Sequence, residues 1–414
     1  MSNDAATRAP LPMMQVLLCS AGIVVFSMGV RHGFGLWLLP ITQAQGWTRE
    51  TFAFALAVQN LAWGVAGVFA GMAADRFGAF RVIAAGALCY AGGLLGMAWA
   101  GTPLVFAATA GALLGVALAG TTYAVVYGVI GRNVPASRRS RAMGVAAAAG
   151  SFGQFLLVPI EGWLITGFGW QQALVLLALA VLIMVPLGWG LREPQLAAGH
   201  AVREQTVAQA LGEALRYPSF LLLVAGYFVC GFQVVFIGVH LPSYLKDHGM
   251  APQVASLSLA LVGLFNVLGT YSVGVLGEKM PRPRILSAIY ALRAVVITLF
   301  LLAPLTSWSV YLFSAAIGLL WLSTVPPTNA TVAQIFGVAH LSMLSGFAFL
   351  SHQIGSFLGV WLGGYLYDRG GNYDLAWQVT IGLGVLAALV NLPVRDAPIQ
   401  RAAATARPQP VAAP

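Results

Sequence analysis

Apolar stretches of about 20 residues or more alternate with short polar connections along almost the whole chain. The hydrocarbon core of a bilayer is about 30 Å thick, and an α-helix that rises about 1.5 Å per residue crosses it in about 20 residues. The pattern therefore predicts an all-α membrane protein with twelve membrane-spanning helices, which we number span 1 to span 12. Their predicted ranges are 13–41, 50–73, 82–101, 103–131, 142–167, 169–191, 218–243, 252–277, 285–304, 307–334, 341–366 and 375–394.

A polar stretch at 192–217 interrupts this pattern in the middle of the chain. Within it, Thr206 is placed to cap a short amphipathic helix. We interpret the stretch as a cytoplasmic linker between two six-helix bundles, one formed by 1–191 and the other by 218–414 with its short tail. The halves also repeat, as Leu39-Pro40 matches Leu241-Pro242 and Asp75-Arg76 matches Glu278-Lys279. Two pseudo-symmetric halves with a substrate site between them are typical of secondary transporters.

Charged residues are rare and unevenly distributed along the chain. They make up 8% of it, against about 25% in soluble domains. Sixteen of the 21 lysines and arginines fall in the tails and in loops on one side, whereas Arg49, Lys246 and Arg369 fall on the other side. Positive residues accumulate on the cytoplasmic side of membrane proteins. We therefore expect a cytoplasmic (inner) membrane location, both termini in the cytoplasm, and no nucleic-acid partner despite a net charge of +9.

The connection between spans 2 and 3 carries a motif. Its sequence, Gly71-Met-Ala-Ala-Asp75-Arg76-Phe-Gly78-Ala-Phe-Arg81, resembles the signature G-x-x-x-D-R-x-G-x-[RK] of the major facilitator superfamily. Gly78 permits a tight turn in this connection. The resemblance implies the major facilitator fold, whose two halves open alternately to either side of the membrane. It also implies that Asp75, Arg76 and Arg81 latch the cytoplasmic gate in one state.

A narrower resemblance lies in spans 5 and 7. The segments that carry it are Arg138-Arg139-Ser-Arg141, a glycine- and alanine-rich run ending in Ala149-Gly150-Ser151, Gly167-Phe168-Gly169-Trp170, and His240-Leu-Pro-Ser-Tyr244. They resemble monocarboxylate transporters, in particular their bacterial members. The resemblance implies a cation in span 1, at Arg31 and His32, and polar contacts in span 4, at Tyr123 and Tyr127.

The chain departs from the monocarboxylate transporters in span 8. That family has an aspartate and an arginine one turn apart, and the arginine binds the substrate carboxylate. The matching positions in this chain are Asn266 and Thr270. A carboxylate must therefore find a different cation in this protein.

Ionisable residues inside the predicted spans point to function, because burying them in a membrane is costly. Apart from Glu50 at the first position of span 2, Glu161 in span 5 is the only acid within a span, against five basic residues: Arg31, His32, His240, Arg293 and His352. This excess favours an anionic substrate over a cationic drug. Arg31 and Glu161 lie at similar depths, about 27 Å and 28 Å from the cytoplasmic ends of their helices. We expect them to pair near the outer gate, unless Arg31 binds the substrate itself.

Polar residues within the spans complete the candidate site. The residues expected to contact substrate are Arg31, His32, Tyr123, Tyr127, Gln233, Asn266, Trp321, His352 and Gln353, and those expected to act in gating or coupling are Asp75, Arg76, Arg81, Glu161, His240 and Arg293. His352, near the midplane, is placed to carry a proton, since imidazole exchanges protons near neutral pH. For Arg293, in a peripheral helix, a structural role is the alternative. Pro326-Pro327 should kink span 10 and leave backbone carbonyls free.

Together these patterns predict a monomeric secondary transporter that moves a small organic anion, a monocarboxylate by resemblance, together with protons. Proton-coupled efflux of drugs or metabolites is the alternative, although span 4 lacks the arginine, and span 5 the Gly-Pro pair, that such exporters usually carry. A membrane receptor or enzyme is a remote alternative. We expect no cofactor and no metal, because the sequence has no nucleotide-binding loop, metal-ligand spacing or nucleophile motif.

Overall fold

The computed structural model describes residues 11–192, 206–337 and 341–399. Within these ranges the chain has no β-strand and twelve helical segments that are long and apolar enough to cross a membrane. Spans 1 to 12 are Met13–Gln45, Arg49–Ala74, Ala79–Trp99, Pro103–Asn133, Ala142–Phe168, Trp170–Trp189, Pro218–Asp247, Pro252–Leu276, Arg282–Leu302, Ser307–Phe336, Met343–Gly370 and Asp374–Asn391. Three helices extend beyond their spans, as Arg49–Phe77, Ala136–Phe168 and Leu341–Gly370. The predicted fold class and number of spans are confirmed.

The predicted ranges of the spans differ from the observed ones by at most four residues at either end. The largest differences lie at the ends of spans 1, 7 and 11, where the helix continues to Gln45, Asp247 and Gly370 instead of 41, 243 and 366. Apolarity falls off before helical hydrogen bonding does, because a helix can project beyond the hydrocarbon into the polar interface. The pattern therefore locates the membrane crossing better than the helix end.

Four spans are interrupted along their length. Their pieces are Met13–His32, Phe34–Trp37 (a 3-10 turn) and Leu38–Gln45 in span 1; Pro103–Phe106, Ala107–Leu113 (π-helical), Leu114–Thr121 and Tyr123–Asn133 in span 4; Trp170–Val181 and Met184–Trp189 in span 6; and Ser307–Leu320 and Val325–Phe336 in span 10. The predicted break beside Pro326-Pro327 is confirmed. Interruptions free backbone groups that must find partners inside the membrane.

The break in span 1 lies in its glycine cluster, where two glycines permit close contacts. A Cβ on Gly33 would collide with the carboxylate of Glu161 in span 5, and a Cβ on Gly35 would collide with the carbonyl oxygen of Gly238 in span 7. Only glycine allows such approach. Span 1 therefore packs tightly against its own half and against the other half at once.

Buried hydrophobic side chains form two clusters, which correspond to the two halves. The first runs from Val16 to Leu191 with three added residues of spans 7 and 11, and the second runs from Ala214 to Ala388. The amide of Leu11 donates to Asn133 at the end of span 4, and that of Ile399 donates to Ile335 at the end of span 10. Because each half has six spans, the described chain begins and finishes at the same end of the molecule. We call this the terminal end and the opposite one the far end.

A short helix, Val207–Leu215, precedes span 7. The side chain of Thr206 accepts a hydrogen bond from the Gln209 amide, and the Gln209 side chain accepts one from the Thr206 amide. This reciprocal capping stabilises the helix start and confirms the predicted cap. The predicted linker residues 193–205 lie outside the described part of the chain.

Spans 2 and 11 connect the two halves at the far end and near the middle. A Cβ on Gly364 would lie 2.9 Å from the carbonyl oxygen of Arg49, and a Cβ on Gly64 would lie 3.0 Å from Gln353. One turn closer to the terminal end, a Cβ on Gly67 would have no atom within 4 Å. The two spans therefore separate toward the terminal end.

Spans 5 and 8 show the same change along their length. A Cβ on Gly162 would lie 3.0 Å from Ser256, and one on Gly263 would lie 2.9 Å from Gln154. Closer to the terminal end, Gly144 has open space around it. The interface between the halves thus forms a cleft that is closed at the far end and open at the terminal end.

Candidate functional site

Arg31 and His352, two of the predicted substrate contacts, are connected by hydrogen bonds across the interface. Arg31 Nη2 donates to Oδ1 of Asn60 at 2.5 Å. Gln353 Nε2 donates to the backbone oxygen of Asn60 at 2.9 Å, and Gln353 Oε1 lies 3.1 Å from His352 Nδ1. Spans 1, 2 and 11 therefore meet in one polar chain. Asn60, its central member, is not among the predicted site residues, although a polar residue within an apolar span was a signal for it.

Arg31 keeps part of its hydrogen-bonding capacity unused. Its Nε is buried without a partner, and its guanidinium carbon lies 5.4 Å from the ring centroid of Trp63. Among the described residues, Arg31 forms no ion pair. A cation at membrane depth without a counter-charge is costly, and a guanidinium matches the geometry of a carboxylate. The position therefore suits an anion bound between the halves.

His32 and Trp321 border a small cavity between the two halves. The cavity has a volume of about 20 Å³ and is also lined by Arg31 and Gln154. Such a volume holds about one water molecule and not an organic anion. A larger open depression of about 640 Å³ lies beside the Val207–Leu215 helix and contains none of the predicted site residues.

Glu161 is fully buried, with its carboxylate directly over Gly33. Oε2 accepts a hydrogen bond from Trp37 Nε1 at 2.9 Å, and Oε1 has no partner in the described part of the chain. The predicted pair with Arg31 is wrong for this structure. Glu161 covers Gly33, and residues two apart on a helix do not face the same way.

His240 is connected through Tyr373 to Arg49 of the first half, at the far end. Its Nε2 lies 2.8 Å from the carbonyl oxygen of Val360, and its Nδ1 lies 3.1 Å from the hydroxyl of Tyr373. Burial raises the pKa of Tyr373, so its hydroxyl stays protonated. The same hydroxyl accepts a hydrogen bond from Arg49 Nη1 at 3.0 Å. These contacts lie near the far end, and the expected gating role of His240 stays a prediction.

An ion pair that the sequence did not predict closes the far end. Arg49 donates from both terminal nitrogens to Asp247, at 2.7 and 2.6 Å. Asp368 accepts from the backbone amides of Arg49 and Glu50, at 3.2 and 2.6 Å, where a helix N-terminus favours a carboxylate. We call Arg49, Asp247 and Asp368 the far-end latch. The sequence did contain a signal for this ion pair, because Arg49 is one of only three basic residues predicted on the side opposite the cytoplasm.

Arg293 is buried and stabilises the break in span 10. It donates to the carbonyl oxygen of Leu320 at 2.6 Å, and to that of Trp321. It also donates to Gln233 Oε1 at 3.2 Å, while Gln233 Nε2 donates to the backbone of Thr380 at 3.0 Å. The break frees these carbonyls, and they compensate the buried cation. The contacts support the structural alternative for Arg293 and hold Gln233 inside the second half.

Asn266 lies at the position where the resemblance to monocarboxylate transporters implies a charged residue. Its side chain is hydrogen-bonded to both halves of the protein. Its Oδ1 accepts from the Leu322 amide at 2.9 Å, beside the break in span 10. Its Nδ2 donates to Ser151 Oγ at 2.8 Å, across the interface between the halves. With 2% of its surface exposed, Asn266 has little area left for a substrate.

Tyr123 and Tyr127 are half-buried and follow the break in span 4. Their ring centroids lie 5.3 Å apart. Thr122, at the break, accepts a hydrogen bond from Trp63 Nε1 at 3.2 Å. The Tyr123 hydroxyl lies where a Cβ of Gly150 would otherwise be. The break therefore places Thr122 against Trp63, with Tyr123 as the next residue of the chain.

The motif between spans 2 and 3 is described only in part. Gly78 has φ 87°, which confirms the predicted tight turn. Arg76 and Arg81 are exposed, and the Arg76 guanidinium lies 5.3 Å from the Phe77 ring. The side chain of Asp75 lies outside the described part, and the predicted cytoplasmic latch stays a prediction.

Two six-span halves with a cation at the interface between them define a membrane transporter rather than an enzyme. The sequence profile of the Major Facilitator Superfamily matches residues 17–357 and 224–413. The chain belongs to this family of multi-pass membrane transporters, as its motif between spans 2 and 3 predicts.

Relatives within the family differ in the activities their names give. YcxA of Bacillus subtilis (strain 168), an uncharacterised member, is 25% identical over 89% of this chain and 92% of its own. Monocarboxylate transporter 13 of Rattus norvegicus is 30% identical over 61% of this chain and 60% of its own. Multidrug resistance protein MdtH of Klebsiella pneumoniae is 25% identical over 86% of this chain and 88% of its own. The similarity to monocarboxylate transporters is confirmed, and the substrate stays open.

A solved structure with the same fold is a bacterial homolog of the human lysosomal transporter Spinster, in an inward-facing and unoccupied conformation. It superposes with a TM-score of 0.73 over 92% of this chain and 96% of its own, at 16% sequence identity. At this identity the similarity shows the fold alone.

Proposed function

We propose that this transporter moves a small organic anion, a monocarboxylate, across the cytoplasmic membrane by alternating access together with a proton. The observation that carries the proposal is Arg31, a cation at the interface between the halves whose buried Nε has no acceptor among the described residues. A carboxylate bound there would supply the missing negative charge through charge-assisted hydrogen bonds. The similarity to monocarboxylate transporter 13 supports this substrate class.

Charge balance supports coupling to a proton. Moving one charge against a membrane potential costs about 2.3 kcal/mol per 100 mV, and a co-transported proton cancels the charge of a monocarboxylate. His352 and Glu161 are the two candidate proton sites. Each has a buried atom without a partner, Nε2 in His352 and Oε1 in Glu161. His352 reaches Arg31 through two residues, and Glu161 lies behind Gly33.

The proposal includes an orientation and a division into moving parts. The terminal end, with most of the basic residues, faces the cytoplasm. The bundles 1–191 and 218–414 rotate against each other about the substrate, joined by the linker 192–217. The far-end latch holds the state of this structure, and Asp75, Arg76 and Arg81 hold the opposite one. One chain contains both halves of the cleft, so a monomer suffices.

The test is transport by the purified protein in liposomes. A panel of monocarboxylates is offered under an imposed inward proton gradient, with Arg31→Gln as the variant. The substitution removes the charge but keeps hydrogen-bond donors. We expect anion uptake with the parent protein and a loss of at least tenfold with Arg31→Gln. Arg395→Gln, an exposed arginine at the terminal end, is the matched control and should leave uptake unchanged.

Proton-coupled efflux of a cationic drug is the second candidate. It is favoured by the similarity to MdtH and by Glu161, since a buried carboxylate is what a cation would need. The same liposomes decide between the two. Movement of a cationic dye without movement of any anion would reject the anion proposal.

A further inference from the structure

A row of rings leads from Arg31 across the interface between the halves. Trp63 lies beside the Arg31 guanidinium, and Phe349 of span 11 lies 5.5 Å from Trp63 with its ring turned by 77°. His352 is nearly parallel to Phe349 at 5.9 Å, and Tyr227 of span 7 lies 4.9 Å from His352. Aromatic rings attract each other at such separations. We call Trp63, Phe349, His352 and Tyr227 the aromatic row.

The aromatic row lies at the boundary of the open cleft. Gly64, next to Trp63, contacts the other half, whereas Gly67 one turn nearer the terminal end has open space. Phe349 is only half-buried, so part of its ring surface is free for a ligand. Rings that served only the core of one half would not cross the interface at the edge of the opening.

Two polar atoms without partners among the described residues lie along the aromatic row. Arg31 Nε lies beside the start of the aromatic row, and His352 Nε2 belongs to its third ring, and both atoms are buried. A ligand with a carboxylate and a flat apolar body would satisfy the cation and cover the ring surface together. A short aliphatic acid would reach Arg31 and leave the rings without contacts.

We infer that the anion is an aromatic monocarboxylate, with its carboxylate on Arg31 and its ring against Trp63 and Phe349. This inference rests on the proposed function, because it requires an anion on Arg31. A hydrogen-bonding group on the ring would reach His352. The aromatic row then selects the substrate, while Arg31 alone selects for negative charge.

The first test uses the parent protein in liposomes and compares three acids. Benzoate, cyclohexanecarboxylate and acetate share the carboxylate, but only benzoate has a π-face, and acetate has no ring. Protein-free liposomes correct for passive passage of the neutral acids. Ring pairing is worth a factor of about 2 to 10. We expect KM to be lower for benzoate than for cyclohexanecarboxylate by this factor, and acetate to be the weakest.

The second test is Phe349→Leu, with Phe347→Leu as the matched control. Phe347 lies on the same span, and its ring pairs with Phe220 within the second half at 6.2 Å. We expect Phe349→Leu to raise KM for benzoate about 2- to 10-fold and to leave acetate unchanged. Phe347→Leu should change neither. Thermal stabilisation of each purified variant by benzoate, relative to acetate, gives an independent measure of binding.

The outcomes separate this inference from the function on which it rests. If acetate or cyclohexanecarboxylate is carried with the same KM as benzoate, the aromatic assignment is wrong and anion transport stands. If Phe349→Leu weakens all three acids equally, the assignment is again wrong. If no anion moves and a cationic dye does, both proposals are rejected. Should Phe349→Leu fail to fold, the comparison of the three acids still decides.

Discussion

At the residue scale, two arginines within the spans show how a cation can exist inside a membrane. Arg293 is compensated within the chain, by the carbonyl oxygens of Leu320 and Trp321. Arg31 has one neutral acceptor, Asn60, and a buried Nε without a partner. The first arrangement is complete without a ligand, and the second is not. Arg31 is therefore the one that can still take a ligand, although both residues look alike as single charges in apolar spans.

Glu161→Gln tests one of the two proton sites. Glutamine keeps an oxygen that accepts from Trp37, so the packing over Gly33 should survive. We expect uptake driven by a proton gradient to fall at least tenfold, while exchange of labelled for unlabelled substrate continues, because exchange needs no net proton movement. Glu278→Gln, on an exposed glutamate, should affect neither rate. Loss of exchange together with uptake would show that Glu161 does not serve coupling alone.

His352→Ala tests the other proton site. If the imidazole carries the proton, initial uptake should lose its rise as the external pH falls, because alanine cannot carry a proton. The measurement is a pH profile of uptake at saturating substrate. A profile that keeps its shape with a lower amplitude would assign His352 to binding and leave Glu161 as the carrier.

At the scale of the helices, glycines determine where the spans meet. Gly364 lets span 11 approach span 2 so closely that an added Cβ would lie 2.8 Å from Ala53. The interruptions of spans 1, 4 and 10 likewise bring backbone or side chains to their partners. Small residues at helix contacts are common in membranes, where packing replaces the hydrophobic effect as the driving force.

Gly364→Ala should disfavour the state in which the far end is closed. Ser256 lies on span 8 and faces span 5 near the far end. A cysteine at this position, in a background without Cys19, Cys89 and Cys230, reports how exposed the far end is. We expect Gly364→Ala to increase its labelling by an impermeant maleimide severalfold. Gly370→Ala, on the same helix with no atom within 4 Å of the new Cβ, is the control. Equal labelling of both variants would show that this contact does not limit opening.

At the scale of the whole molecule, the proposed alternating access requires a second state in which the far end is open. The far-end latch joins span 2 of the first half to spans 7 and 11 of the second, while the terminal end is open. Arg49 and Asp247 are 11% and 26% exposed, so their ion pair is worth on the order of 1 kcal/mol. A contribution of that size shifts a two-state population about fivefold.

Asp247→Asn should therefore release the far end about fivefold, measured by labelling of the same cysteine. The charge-reversed pair Arg49→Glu with Asp247→Arg should restore closure in part, because the stacking of Arg49 on Tyr367 at 3.7 Å is lost. Each reversal alone should open the far end further than Asp247→Asn does. If the double variant is as open as the singles, the ion pair is not the latch.

The amino-acid sequence determined the twelve spans, their grouping into two halves and the family, because these depend on local runs of apolar residues and on one contiguous motif. It also singled out Arg31, His352 and Gln353 as candidates, since polar residues in apolar spans stand out individually. Even the breaks of spans 1 and 10 follow from local glycines and prolines.

Only the tertiary structure decided which partner each polar group has. Arg49 and Asp247 are 198 residues apart in the chain, and nothing local announces their contact. Arg31 bonds to Asn60 instead of Glu161 because a helix turns by about 100° per residue, so that matching depth does not mean matching direction. Pairing inside a membrane depends on the rotation of each helix about its axis, and packing of all twelve spans sets that rotation.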